Sequence, residues 1–182
     1  KTWQILPLLP LSYVDSPYQA CVSNGLNYYF IDPETLKSKG LLKKSDYCEA
    51  DFCIDKRRVN YGLMFKNRTK MLKKAFSRFD RTNKEWLDFL SAGEYDDFAL
   101  FMTLKEKFNF TEWTAWGEFS VYNEKKVKKF IAENREKMEF WQFTQYEFLN
   151  EWKALKSYAN SCGIEIMGDM PIYVAFDSVE VW

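Results

Sequence analysis

The order of apolar and polar positions along the chain predicts two short strands with a long, mainly helical stretch between them. Trp3 to Leu9 is almost continuously apolar, which is typical of a strand covered on both faces in a parallel sheet. Ile164 to Gly168 predicts a second short buried strand. Parallel strands need a crossover connection, so the helix before the second strand is expected to pack back on the sheet. The strands therefore predict an α/β architecture with a helical excursion.

Five helical segments are predicted between the strands, because apolar side chains recur there at the helical period. The first begins at Asp32-Pro33, an N-cap followed by proline at the first helical position, and Gly40 ends it. The last lies within Glu124–Asn160 and is followed by a glycine in the C-cap position, Gly163. The other helices are predicted at Gly62–Phe79, Asn83–Ala92 and Glu94–Phe108, and a loop at Trp113–Val121.

A long loop follows the first strand, over residues 11–27, and loops of this length in compact domains are usually functional or disordered. It carries Tyr13, Asp15, Ser16 and Tyr18. Their rings, carboxylate and hydroxyl groups are suited to a neutral, polyhydroxylated ligand, which they can hold by stacking and hydrogen bonds. Asp15 and Ser16 are equally well explained as turn residues.

Two aspartates follow the second predicted strand. In parallel α/β proteins, functional groups gather at the C-terminal ends of the strands, and both Asp169 and the 11–27 loop occupy such a place. A carboxylate at the end of a buried strand must be paired, so Asp169 is equally well explained as a structural residue that holds the next loop. Asp177-Ser178 is more simply the N-cap of a helix starting at Val179 than a ligand contact.

Composition excludes several classes of site. The 26 basic and 26 acidic side chains cancel, so no net field exists to hold nucleic acid or an anionic membrane. No apolar run reaches the roughly 18 residues needed to cross a bilayer. The chain has no histidine, which excludes a Cys/His zinc site and Ser-His-Asp or Cys-His catalysis within it. Its four cysteines form no CxxC pair and are interpreted as reduced structural thiols of a cytosolic protein.

Aromatic rings make up 19% of the chain, a share that favours a heavily packed interior and, second, faces on which sugars stack. A neutral partner fits the zero net charge.

Several segments resemble one enzyme family. Residues 3–19, WQILPLLPLSYVDSPYQ, resemble the WQxLPLxPTxxxDSPYQ segment of the 4-α-glucanotransferases (amylomaltases or disproportionating enzymes) of the α-amylase clan. Residues 163–182, GIEIMGDMPIYVAFDSVEVW, are similar to a second segment of that family. NYYFID, YGLMF and DDFALFMTLKEKF match in order and spacing, so the resemblance covers nearly the whole chain. Amylases place Asn and His after the aspartate, where this chain has Tyr173 and Val174.

The resemblance implies a fold. It implies part of a (β/α)8 TIM barrel with a large, mainly helical insertion between two parallel strands. Residues 1–31 would hold a barrel strand and the substrate loop, residues 32–134 the helical insertion, and residues 135–182 a barrel helix, a strand and the following loop. The strand-like start after Lys1 and the lack of a stop signal at Trp182 likewise lead us to expect a longer chain.

The resemblance also implies site residues. Asp15, Ser16 and Tyr18 would be donor-side sugar contacts, with Tyr13 as a neighbouring aromatic contact. Asp169 would support the site by hydrogen-bonding its neighbours or the sugar.

The implied activity is the transfer of α-1,4-glucan segments between maltodextrins in the cytoplasm, by a retaining double displacement that uses no metal and no organic cofactor. That chemistry needs a nucleophilic carboxylate and an acid/base carboxyl about 5 Å apart. The resemblance places both beyond Trp182, so the chain would hold no catalytic residue and be inactive alone. The alternatives are a noncatalytic α-glucan-binding or interaction protein and a starch-hydrolysing relative. The sequence does not predict an oligomeric state.

Overall fold

The structure is a computed structural model that describes residues 1–12, 15–48 and 57–182. Two strands, β1 (Thr2–Gln4) and β2 (Glu165–Met167), pair in parallel. Helical elements lie between them, and β2 is preceded by the long final helix. The described α-helices are α1 (Pro33–Ser38), α2 (Tyr61–Leu63), α3 (Thr69–Phe76), α4 (Lys84–Ala92), α5 (Asp96–Lys107), α6 (Glu124–Glu133) and α7 (Arg135–Ser161).

The parallel pair and its helical crossover are confirmed, but the strands are shorter and more exposed than predicted. Each contains three residues. The prediction of strands covered on both faces is wrong for the described residues, because Trp3 is 45% and Met167 49% exposed. A two-stranded sheet has few neighbours, and α7 packs against β2. The Ile5 N–H still donates to the Met167 carbonyl at 2.9 Å, and the apolar residues after Ile5 continue as coil.

Local capping signals place the helix ends correctly. The Asp32 carboxylate accepts hydrogen bonds from the backbone N–H groups of Glu34 and Thr35, at 3.2 and 2.9 Å, and so begins α1. Gly40 follows α1 with a φ of 76°, and Gly163 follows α7 with a φ of 69°, both in the left-handed region that glycine favours.

Two predicted helices are subdivided. The 62–79 segment contains α2, a π-helical stretch at Met64–Arg68, and α3. The 124–160 segment is interrupted at Asn134, whose side-chain amide donates to the Phe130 carbonyl at 3.0 Å and ends α6. The predicted 113–121 loop contains two 3-10 turns, at Trp113–Ala115 and Gly117–Phe119.

Helix α7 lies at the centre of the fold and contacts α3, α4, α5, α6 and β2. The large rings fill the space around it, as the packing interpretation predicts: Trp86, Trp116 and Trp141 are at most 1% exposed. One hydrophobic cluster extends from Cys21 to Phe148. None of the helices described is both long and apolar enough to cross a membrane.

Candidate functional site

The loop after β1 is closed by its own hydrogen bonds. Leu11 and Ala20 form an isolated antiparallel bridge, and the Ser12 N–H donates to the Gln19 carbonyl at 3.0 Å. Ser16 makes the turn: its carbonyl accepts from the Gln19 N–H at 3.0 Å and its hydroxyl from the Tyr18 N–H at 3.3 Å. In the structure Ser16 is thus a turn residue, and the turn presents Tyr18, which is 41% exposed.

A buried glutamine fastens the end of this loop to α7. Gln145 is 0% exposed, and its side-chain amide accepts from the Leu26 N–H at 2.7 Å and donates to the Leu26 carbonyl at 3.0 Å. The same amide therefore satisfies both backbone groups of one loop residue. The helical pattern places Gln145 on the buried face of α7, but its partner is distant in sequence and only the structure identifies it.

Tyr18 and Asp169 meet at the C-terminal ends of the paired strands. The Tyr18 hydroxyl donates to Asp169 Oδ2 at 2.8 Å, and the Met170 N–H donates to Asp169 Oδ1 at 2.7 Å. The loop after β1 and the segment after β2 thus meet, as expected, at Tyr18 and Asp169. Each Asp169 oxygen has a hydrogen-bond partner. Asp169 is exposed, so the expectation of a carboxylate at a buried strand end is wrong for this position.

The hydrogen bond keeps Tyr18 in its protonated form. Bonding to the Asp169 carboxylate, together with slight desolvation and the nearby negative charge, raises the pKa of Tyr18 above its ordinary value. Tyr18 therefore acts as a hydroxyl donor, and its exposed ring leaves a face open to a ligand. The single phenolic proton is used on Asp169, so the Tyr18 oxygen and the Asp169 carboxylate offer a ligand hydroxyl their acceptor lone pairs.

Asp169 lines a cavity of about 300 Å³ between the two loops. Its walls are mainly apolar, and the polar side chains among them are Ser23, Asp169, Tyr173 and Glu180. Such a composition is typical of small-molecule sites, in which a few polar groups orient the ligand. Among its lining residues are Leu9, Val22, Asp169, Tyr173 and Glu180.

Asp15 is directed elsewhere. It adopts a φ of 50°, in the left-handed region, and it lines a second cavity of about 380 Å³ together with Tyr29 and Tyr61. The structure therefore separates Asp15 from the pair formed by Tyr18 and Asp169. Tyr13 lies outside the described residues.

The prediction that Asp177 caps a helix is wrong. Residues 179–181 form a turn, and Asp177 makes a partly buried ion pair with Lys105 of α5. A short polar residue before an apolar one looks the same in sequence whether it caps a helix or pairs with a distant cation. The sequence reasoning also missed Lys105, although a lysine next to Leu104 on the apolar side of α5 is the signal that could have identified it.

Metal-binding groups are not clustered in the part of the chain that the structure describes: no group of three or more Cys, Asp or Glu side chains there could hold an ion. Of the cysteines that the structure describes, the buried Cys21 and the exposed Cys162 are free thiols.

Comparison with known proteins supports the resemblance. A family model described as 4-alpha-glucanotransferase matches residues 1–182. A 4-alpha-glucanotransferase of Clostridium butyricum is 43% identical over 194 residues, which cover 100% of this chain and 38% of that protein. A 4-alpha-glucanotransferase of Thermus thermophilus is 36% identical, over 100% of this chain and 37% of that protein.

The structure gives the same result. An amylomaltase from Streptococcus agalactiae, solved in complex with acarbose, superposes with a TM-score of 0.92 at 38% identity, and the match covers 100% of this chain and 38% of that one. The chain thus spans less than two fifths of the length of these relatives. The sequence resemblance is confirmed, and the chain belongs to the 4-alpha-glucanotransferase family.

Proposed function

We propose that this protein transfers α-1,4-glucan segments between maltodextrins, with Tyr18 and Asp169 at its sugar-binding site. The observation that carries the proposal is their hydrogen bond at 2.8 Å, because it joins the two segments on which the family resemblance rests. The acarbose bound to the amylomaltase from Streptococcus agalactiae supports an oligosaccharide as the ligand.

The proposed reaction is a retaining double displacement. It needs a carboxylate nucleophile and an acid/base carboxyl about 5 Å apart. We assign both to polypeptide beyond residue 182, which agrees with a chain that spans 38% of its relatives' length. This part of the protein then binds and orients glucan and does not react with it. Neither a metal nor an organic cofactor takes part in the proposed mechanism.

The proposed roles follow from the family resemblance and, for Tyr18 and Asp169, also from their hydrogen bond. Asp169 accepts from Tyr18 and supports the sugar next to the bond that is cleaved. Tyr18 contributes a ring face, and its hydroxyl orients the Asp169 carboxylate by donating to it. Asp15, Ser16 and the neighbouring Tyr13 are proposed as donor-side contacts, and in this scheme the Ser16 turn serves mainly to hold Tyr18 in place.

The proposed architecture is a (β/α)8 TIM barrel in the complete protein, of which β1 and β2 are two neighbouring strands. Residues 1–31, 32–134 and 135–182 are proposed as a strand with substrate loop, a helical insertion, and a helix, strand and loop of the barrel. The break between α6 and α7 at Asn134 supports the second boundary. The proposed location is the cytoplasm.

Incubation of the complete natural protein with maltotriose tests the activity. The expected products are glucose and oligomers longer than maltotriose, with a constant number of reducing ends, because each cleavage is followed by transfer. An increase in reducing ends would indicate hydrolysis instead. Binding of maltodextrin with no products would favour the noncatalytic alternative. The proposal would be overturned if the protein neither bound maltodextrin nor formed products from it.

A further inference from the structure

A buried lysine at the end of α5 joins the helices to the segment after β2. The Lys105 side chain is 8% exposed and forms an ion pair with the Asp177 carboxylate, which is 18% exposed. Lys105 also donates to the Thr111 carbonyl at 3.0 Å, across the two residues of positive φ that follow α5, Asn109 and Phe110. Charges in such a place must be paired, because removing one partner leaves the other poorly solvated.

Trp113 adds to the attachment of Asp177. The second carboxylate oxygen of Asp177 accepts from the Trp113 N–H at 3.3 Å. The indole N–H of Trp113 donates to the Phe176 carbonyl at 2.9 Å, and the rings of Trp113 and Phe176 lie 5.3 Å apart. The helical part of the chain thus holds both residues at the end of the loop that begins after Asp169.

The residues after Asp177 attach to the other loop. The Val179 N–H donates to the Cys21 carbonyl at 2.9 Å, and the Glu180 carboxylate accepts from the Ser23 N–H at 2.5 Å. Asp177 therefore lies where the helices, the loop after β1 and the loop after β2 come together.

Between Asp169 and Asp177 most of the chain is exposed, with Ile172 at 90% and Tyr173 at 80%, while Ala175 is 6% exposed. Packing therefore holds the part of this stretch next to Asp177 and does little for the part that follows Asp169. Its position depends on its ends, where Tyr18 holds Asp169 and Lys105 holds Asp177.

We propose that the Lys105–Asp177 ion pair is a positioning device, which fixes the 170–176 loop and through it the Tyr18–Asp169 pair. The consequence for sugar binding rests on the proposed function, whereas the consequence for the loop does not. Neither Lys105 nor Asp177 needs to touch the sugar.

The test compares Lys105→Met with Lys39→Met in the complete natural protein. Lys39 pairs at 2.6 Å with Glu147, whose side chain is 2% exposed, so its replacement also leaves a buried carboxylate without its cation. Glu147 belongs to α7 and does not hold the 170–176 loop.

A general loss of stability should affect both variants, whereas release of the loop should affect only Lys105→Met. Asp177→Asn keeps the side-chain size and an acceptor for Trp113, and it is the second variant if Lys105→Met does not fold.

The first measurement is the labelling rate of Cys21 by a thiol reagent, located by peptide mass spectrometry. Cys21 is 3% exposed and lies beneath Val179. Burial raises the pKa of the Cys21 thiol to about 12, while the charge of Lys105 lowers it and the charge of Asp177 raises it, so faster labelling separates exposure from charge only in Lys105→Met. Loss of Lys105 would by itself make the thiol less reactive, so faster labelling must reflect exposure. We expect a rate about tenfold higher in Lys105→Met, with wild-type labelling in Lys39→Met.

The second measurement is the dissociation constant for acarbose, by calorimetry. We expect it to rise about tenfold in Lys105→Met and to stay unchanged in Lys39→Met.

Unchanged Cys21 labelling in Lys105→Met and Asp177→Asn, or equal acceleration in Lys39→Met, would overturn the positioning role. Faster labelling with unchanged acarbose affinity would overturn its link to the sugar site. If the wild-type protein bound no acarbose and no maltodextrin, the proposed function would fail, and Cys21 labelling would still decide the role of the ion pair.

Discussion

The Tyr18 hydroxyl donates to Asp169 Oδ2 at 2.8 Å, although 151 positions separate the two residues in sequence. The parallel pairing of β1 with β2 makes this contact possible, because it brings the C-terminal ends of both strands to the same edge. The hydrogen bond therefore attaches the loop after β1 to the carboxylate that lines the cavity of about 300 Å³.

Replacement of Tyr18 by phenylalanine should weaken sugar binding without destabilising the fold. The ring remains, but the hydroxyl that donates to Asp169 is lost, and we expect the dissociation constant for acarbose to rise about tenfold. Calorimetry on the complete protein measures the affinity and thermal melting measures the stability. Tyr158→Phe, on an exposed tyrosine of α7, is the matched control and should bind as the wild type does. Equal affinity of Tyr18→Phe and the wild type would argue against a role for this hydroxyl.

Gln145→Leu should destabilise the protein through the loop it holds. It removes the partners of both backbone groups of Leu26, and we expect the free energy of unfolding in urea to fall by about 2–4 kcal/mol. Gln142→Leu is the control. Gln142 bonds at 2.6 Å to Asp96, an exposed carboxylate that water can solvate, so this variant should lose less unfolding free energy than Gln145→Leu. An equal loss in both variants would contradict a special role of the Leu26 contact.

Gly25→Ala should be unfavourable for a steric reason. A methyl group at Gly25 would lie 2.4 Å from Val22 Cγ1 and 3.1 Å from Pro10 Cγ, and we expect a loss of about 1–3 kcal/mol in unfolding free energy. Gly62→Ala is the opposite case, since its methyl would lie no closer than 3.5 Å to Asn60 within a helix. That variant should gain about 0.5–1 kcal/mol. Chemical denaturation measures both, and a stability gain in Gly25→Ala would show that the loop is less tightly packed than in the structure.

Stability should depend on pH through Glu151 of α7. Burial raises the pKa of the Glu151 carboxyl from 4.5 to about 7, so the folded state holds a proton more tightly than the unfolded state. The stability that this tighter proton binding gives the folded state is fully present below pH 4.5 and is lost as the pH rises through about 7. Glu151→Gln, which cannot ionise, should therefore gain stability relative to the wild type across that window.

Denaturation curves of both proteins across this pH range measure the effect of Glu151. Glu133→Gln, at an exposed position of α6, controls for loss of a surface charge. A difference between Glu151→Gln and the wild type that does not change with pH would disprove the assigned titration.

Local signals in the sequence were sufficient where the physical cause is local. Asp32 was recognised as the N-cap of α1, and Asn83 accepts from the Glu85 N–H at 2.8 Å at the predicted start of α4. A cap and its partners lie within one turn, so a short window contains the whole interaction. The break at Asn134 was missed because the apolar period continues on both sides of it.

By itself, the sequence determined the order of the elements, most helix boundaries, the absence of histidine chemistry in the chain and the family, since these follow from local capping, periodicity and specific motifs. Only the tertiary structure decided that Tyr18 meets Asp169 while Asp15 lies at another cavity, and that Lys105 pairs with Asp177 across 72 positions. The physical reason is that hydrogen bonds and ion pairs depend on distances of a few ångströms between side chains. Such distances are set by the packing of α5 and α7 and by the pairing of β1 with β2, which no short stretch of sequence contains.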